Sequence, residues 1–170
     1  AKLCIDCGRC EEVCPEDAII EAKEGRIDRD KCTRCMRCVK VCPVSALTQV
    51  GVWMSVEQVL EKIRRYTPFY IYSNNGGVTI SGGDPLFQPE FTLELVKRCC
   101  DEGIHTAIET CGFAEYDKLK EITKNVDLLL YDIKHMDDTL HRLGTGVGNK
   151  RILANLKKIC LEMPNLEKVI

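Results

Sequence analysis

The sequence predicts an α/β chain in two parts: a small cysteine-built domain over 1–50, then a parallel sheet with helical crossovers over 51–170. Three observations carry this. Eight of the twelve cysteines fall in two identical frames, Cys4, Cys7, Cys10, Cys14 and Cys32, Cys35, Cys38, Cys42, each closed by a proline, Pro15 or Pro43. From Gly51 the composition changes to amphipathic and apolar segments. Those segments alternate between strand and helix patterns, as in a sheet of parallel strands.

A cysteine-rich chain is either a secreted disulfide scaffold or a metal protein. The strand–helix part needs no staples, so a metal site in a cytoplasmic protein is the better reading. Zinc sites usually pair two separated two-cysteine knuckles. Here three cysteines at three-residue steps precede a fourth in front of proline, a run that resembles that of the bacterial two-cluster ferredoxins. The resemblance implies two [4Fe–4S] clusters, with the fourth cysteine of each run serving the other cluster. One cluster is then held by Cys4, Cys7, Cys10 and Cys42, the other by Cys14, Cys32, Cys35 and Cys38. It implies a pseudo-twofold fold too. "CPEDAII" matches "CPVSALT", with Ala18 and Ala46 equivalent, and "RIDRDKC" supplies a short strand and turn before the second set. Zinc or disulfides are the bland alternative.

In the second part, "SVEQVLEKIRRY" places Ser55 and Gln58 in capping-box positions, with Val56, Val59, Leu60 and Ile63 on one helical face. A short strand at Val78–Ser81 leads through a glycine turn to a helix opened near Pro89 and closed at Gly103. "HTAIET" reads as the next strand, followed by a helix from about Tyr116 to Lys124. The apolar "VDLLLYDIK" is a third strand, then a helix spans about Lys150–Glu162, stopped by Pro164. A last strand opens at Leu166. A strand apolar on both faces argues for a covered parallel sheet, and right-handed crossovers follow.

Functional residues of such sheets gather at the carboxyl ends of the strands. Gly82, Gly83, Asp84, Glu109, Thr110, Asp132 and Lys134 fall there. Singly, each has a bland reading: "SGGDP" as a tight turn, Glu109 as a cap, Lys134 as a solvated lysine. Together they suggest a ligand site, because glycines admit close backbone approach, carboxylates receive an ammonium, and a lysine answers a carboxylate or an electron-rich ring edge.

"GGVTISGGDPLFQPEF", "GIHTAIETCGF", "LLLYDIKHMDD" and "TGVGNKRILANL" together resemble the glycyl radical enzyme activating enzymes, pyruvate formate-lyase activating enzyme-like members of the radical S-adenosylmethionine (SAM) superfamily with a two-cluster ferredoxin insert. The resemblance covers the whole chain and implies that 51–170 is part of a radical SAM (β/α) barrel. Gly82 and Gly83 match the turn that receives the methionine end of SAM, with Asp84 where the family usually carries Glu. Asp132, Ile133 and Lys134 match a second SAM-contacting segment, and Glu109 and Thr110 match positions near a small cation beside the SAM carboxylate. The implied partners are a glycyl radical enzyme and an electron donor such as flavodoxin or ferredoxin.

The resemblance also implies a third [4Fe–4S] cluster on three cysteines spaced four and then three apart, leaving one iron open to SAM. No such spacing occurs in the chain, so the sequence is expected to be a fragment cut at both ends and inactive by itself. Cys99 and Cys160 read as buried thiols on apolar helix faces, and Cys111 lacks ligand neighbours. His105, His135 and His141 lack mutual ligand spacing. Trp53 is expected to pack at the join of the two parts, and Asp137 or Asp138 to cap a solvated helix.

A net charge of −2 provides no electrostatic footprint for nucleic acid. No run approaches the ~20 apolar residues that span a membrane, and no leader resembles a signal peptide. Two functions from different classes remain: a SAM-cleaving activating enzyme, or an electron-transfer iron–sulfur module without catalysis of its own.

Overall fold

The computed structural model describes residues 3–21, 25–73 and 76–170. The chain divides into two compact units, Ala1–Trp53 and Met54–Ile170.

The first unit writes the sequence repeat into its backbone. Two single-turn helices, α1 (Arg9–Glu12) and α2 (Arg37–Val41), follow left-handed residues at Gly8 (φ 74°) and Met36 (φ 59°). Asp6 and Arg34, and then Asp17 and Ser45, are also left-handed at equivalent places, with φ from 47° to 58°. Each member of these pairs stands 28 residues after its counterpart, as do the cysteines. Side chains other than glycine seldom take positive φ, and such residues persist only where surroundings over-determine them. An antiparallel bridge pairs Ile19 with Ile27, the strand expected in "RIDRDKC". Among the described residues, Cys10 and Ala18 are the buried apolar residues of this unit.

The second unit is a four-stranded parallel sheet in the order β1-β2-β3-β4, where β1 is Gly77–Ile80, β2 His105–Thr110, β3 Leu128–Tyr131 and β4 Glu167–Val169. Sequential neighbours joined by helices are the pattern of a barrel segment. Helix α3 (Val56–Arg64) opens on the expected capping box, Ser55 and Gln58 each satisfying the other's backbone N–H. Helix α4 (Thr67–Tyr72) was not expected from the sequence; its "TPFYIY" places a proline in the first turn. Pro89 opens α5 (Pro89–Asp101), and Gly103 turns left-handed (φ 67°) just beyond its end. Helix α6 covers Tyr116–Thr123, and α8 covers Lys150–Glu162.

Ile108, Leu119, Leu129 and Ile159 are fully buried at the centre of the main core, joined by Val96, Ile122 and Ile152. A second cluster, Leu60, Leu95 and Cys99, seats α3 on α5. Cys99 is thus buried as expected, but Cys160 is exposed: it lies on the solvent side of α8, whose core face is made by Ile152, Asn155 and Ile159. Trp53, expected to pack, is 90 % exposed. Asp137 caps α7 (Asp138–Thr145), accepting from the Thr139 and Leu140 N–H groups. No helix among the described residues is long and apolar enough to cross a membrane.

Candidate functional site

Cys4, Cys7, Cys10 and Cys42 line one cavity of about 220 Å³ in the first unit, together with Arg9, Arg26, Val44, Ala46, Leu47 and Thr48. The crossed set drawn from both runs therefore shares one space. Backbone N–H groups around Leu47, Val44, Ala46 and Ser45 face Cys42 Sγ and pull its thiol below the usual range. Elsewhere the Ala18 N–H reaches Cys14 Sγ at 3.3 Å, and the Arg34 N–H reaches Cys32 Sγ at 3.4 Å. Three of the left-handed residues, Asp17, Arg34 and Ser45, stand where backbone N–H groups turn toward sulfur, which is what a thiolate bound to iron needs. Burial holds the Cys38 thiol up, and the nearby Cys32 and Cys35 add to the effect. Three of the second set thus stand within electrostatic reach of one another.

No three His, Cys, Asp or Glu side chains among the described residues converge on a single ion. Thiolates that ligate separate corners of an inorganic cube stand farther apart than the ligands of one ion, and four cysteines lining one cavity fit a cube. One further atom belongs to the same space. Arg26 is 7 % exposed, and its Nε–H has no hydrogen-bond partner among the described residues.

In the second unit, β1, β2 and β3 end side by side. After β1 come Ser81, Gly82 (φ 121°) and Gly83. A Cβ at either glycine would meet no protein atom within 4 Å, so the backbone of this turn faces open space that a ligand could fill. Glu109, exposed at the end of β2, accepts from Ser81 Oγ at 2.7 Å, which ties the first two strand ends together. Beyond β3, Lys134 pairs with Asp132. Asp132, with lesser contributions from Cys111 and Glu109, holds the Lys134 ammonium above its ordinary pKa.

Two of the expected site residues face inward. The Asp84 carboxylate accepts from the Leu86 N–H, the Thr110 hydroxyl and the Cys111 N–H, each at 2.9 Å. Thr110 is 2 % exposed and also accepts from the Gly112 N–H at 2.9 Å. These two residues bolt the glycine turn to the end of β2. Ile133 is partly buried and packs its side chain against the main core.

The loop after β2 is held from behind. Asn155 donates to the Gly112 and Ala114 carbonyls at 2.9 Å, while Tyr131 lies so close that a Cβ on Gly112 (φ 69°) would stand 1.8 Å from its hydroxyl. Only glycine fits there. Sequence reasoning passed over Ser81, Asn155 and Arg26. "ISGGDP" announced a turn but not that its serine would reach the neighbouring strand, and nothing local ties Arg26 to a cysteine 16 residues earlier.

Residues 3–46 match the model of the 4Fe-4S dicluster domain, and residues 31–167 match that of the radical SAM superfamily. Among curated proteins, the chain is 41 % identical over 163 residues to the (2S)-3-sulfopropanediol dehydratase activating enzyme of Klebsiella oxytoca, covering 94 % of this chain and 51 % of that protein. It is 40 % identical over 167 residues to the isethionate sulfite-lyase activating enzyme of Nitratidesulfovibrio vulgaris, covering 96 % and 54 %. It is 45 % identical over 158 residues to the choline trimethylamine-lyase activating enzyme of Oleidesulfovibrio alaskensis, covering 91 % and 51 %. The chain spans about half the length of the curated relatives it matches. [4Fe–4S] clusters and SAM are accordingly its cofactors. With cysteines gathered for cubes and an open glycine turn on a parallel sheet, the chain belongs to the radical SAM superfamily.

Proposed function

We propose that the protein acts as a glycyl radical enzyme activating enzyme. Bound SAM would supply a 5′-deoxyadenosyl radical on one-electron reduction, and that radical abstracts hydrogen from a glycine of the partner enzyme. The observation that carries this reading is the rim itself. Three adjacent strand ends present an open glycine turn, a carboxylate and a lysine, in a chain whose relatives are named as activating enzymes of a dehydratase and of lyases.

The roles are those the family resemblance implies, and the open rim supports them. Gly82 and Gly83 admit the methionine end of SAM to their backbone. Lys134, freed from Asp132, answers the SAM carboxylate, and Asp132 and the Ile133 backbone line the same segment. Glu109 faces the rim where a small cation would sit, and Thr110 supports it from beneath. Asp84 shapes the turn, and because its carboxylate is engaged by Leu86, Thr110 and Cys111, it reaches the SAM ammonium through water. The clusters of Cys4, Cys7, Cys10, Cys42 and of Cys14, Cys32, Cys35, Cys38 would carry electrons from flavodoxin or a ferredoxin toward this rim, over domains 1–50 and 51–170.

The 170 residues contain no cysteines spaced four and then three apart. That favours a second reading for this segment alone, electron carriage without chemistry of its own. The test joins these residues to such a three-cysteine motif. The anaerobically reduced protein should release 5′-deoxyadenosine from SAM and raise a glycyl radical signal in its partner. Lys134→Ala should weaken SAM binding about tenfold, ~1.4 kcal/mol. No deoxyadenosine despite three confirmed clusters would overturn the enzyme reading.

A further inference from the structure

The two sets of cluster ligands are near copies, but their surroundings differ at one residue. Arg26 adopts φ 68° on the segment that bridges back to Ile19. Its backbone is fixed on both sides, since its N–H donates to the Glu21 carbonyl at 3.3 Å and its carbonyl accepts from the Ile20 N–H at 3.2 Å. From there the guanidinium turns inward. One of its terminal nitrogens donates to Cys10 Sγ at 3.5 Å, and the residue lines the cavity of Cys4, Cys7, Cys10 and Cys42.

Its charge is only partly answered. Asp6 lies 3.4 Å away and Glu11 3.3 Å away, and both carboxylates are largely exposed, 72 % and 57 %, while the arginine side chain is 9 % exposed. Water screens the two anions far more than it screens the buried cation. The partnerless Nε–H is a second, independent sign. A buried guanidinium N–H without an acceptor is costly, and sulfur at the corners of a bound cube is the acceptor this cavity would provide. Among the described residues no cationic side chain donates to Cys14, Cys32, Cys35 or Cys38; the contacts there come from backbone N–H groups, Ala18 to Cys14 and Arg34 to Cys32.

Cluster potentials respond to local charge and to hydrogen bonds on the sulfurs. Adding an electron makes a cube more negative, and a neighbouring cation stabilises that form. We propose that Arg26 raises the reduction potential of the cluster held by Cys4, Cys7, Cys10 and Cys42 above that of its twin, and so sets the direction of electron flow between them. One electron leaves the reduced cluster of Cys14, Cys32, Cys35 and Cys38, which is oxidised from the 1+ to the 2+ state. The same electron reduces the cluster beside Arg26 from 2+ to 1+. No bond breaks and no proton moves; a low-potential one-electron donor refills the first. Arg26 is a positioning residue, acting on the metal through its ligands.

The inference rests on the two-cluster reading, and the experiment separates them. The 170-residue chain, reconstituted anaerobically, is first assayed for iron and sulfide and titrated with EPR detection. About eight irons and two one-electron steps establish the clusters; fewer overturn that reading before Arg26 is touched. R26Q should then lower the upper step alone, so that occupancy of that cluster at fixed solution potential falls about tenfold, equivalent to 59 mV for one electron. R26K should keep most of the original potential. E11Q, which strips a counter-charge from the intact arginine, should move the upper step the opposite way and serves if R26Q does not hold its clusters. Unchanged steps, equal shifts of both steps, a shift of the lower step alone, or an R26K indistinguishable from R26Q would each overturn the proposal.

Discussion

The two units of this chain meet the same physical demand in opposite ways. Ordering a backbone costs about 1–2 kcal/mol per residue in entropy, and something must offset it. In the second unit apolar burial does so, with Leu60, Val96, Ile108, Leu119, Leu129 and Ile159 almost fully withdrawn from water. In the first, Cys10 and Ala18 are the buried apolar side chains among the described residues, far too little for a domain of its length. Among the described residues, the six non-glycine residues with positive φ, Asp6, Asp17, Arg26, Arg34, Met36 and Ser45, lie in that same unit. Each costs about 1–3 kcal/mol. A segment with little core and much backbone strain is held by something other than packing, and bonds from thiolate to iron are what its sequence offers. The difference teaches where to look for stability. In one unit it resides in the ligands, in the other in the side chains.

The sharpest break of this comparison is iron removal. Chelation should abolish amide protection throughout residues 3–53 while residues 76–170 keep theirs, because binding of the clusters is the folding free energy of the first unit. Hydrogen exchange followed by mass spectrometry reads both at once, and protection surviving in the apo first unit would show a core that packing alone sustains.

Next in size is Ile108→Ala in β2, at a residue with 0 % exposure. It should cost the second unit about 2–5 kcal/mol, seen in the denaturant midpoint, and leave the visible absorbance of the clusters unchanged. Smaller again is Asp84→Ala, which strands the Thr110 hydroxyl and the Cys111 N–H. About 1–3 kcal/mol of stability should go, with loosening confined to the rim and visible as faster exchange at Cys111.

The smallest effect is one of pH. Arg64 holds Glu102 below the usual carboxylate range, and Arg64 together with Arg98 does the same for Glu57. A depressed carboxylate stabilises the fold above its unfolded pKa and ceases to do so as pH falls through its folded value. Acidification below the ordinary carboxylate range should therefore lower the second unit's melting temperature slightly, and raised salt should erase the difference, since both carboxylates and both guanidinium groups stand partly in water. An undiminished pH effect at high salt would point to buried groups instead.

By itself the sequence determined everything that depends on neighbours along the chain. The cysteine frames, with their 28-residue period, announced two candidate ligand sets and the repeated backbone turns around them. β2 at His105–Thr110 and α8 at Lys150–Glu162 occur where their patterns place them, because period and capping are local properties. The rim residues were legible as strand ends for the same reason. α4 was not, since the short "TPFYIY" offers no period long enough to tell a helix from an apolar strand. Only the tertiary structure decided which polar groups would face a ligand and which would brace it. Asp84 and Thr110 look like their rim neighbours in sequence, yet they turn inward, because the N–H groups of Leu86, Cys111 and Gly112 needed acceptors once the strands were side by side. Arg26 reads as one more charged residue in "RIDRDKC". It became a buried cation beside Cys10 only when a bridge between Ile19 and Ile27 folded its segment back, and charge acts through space, not along the chain.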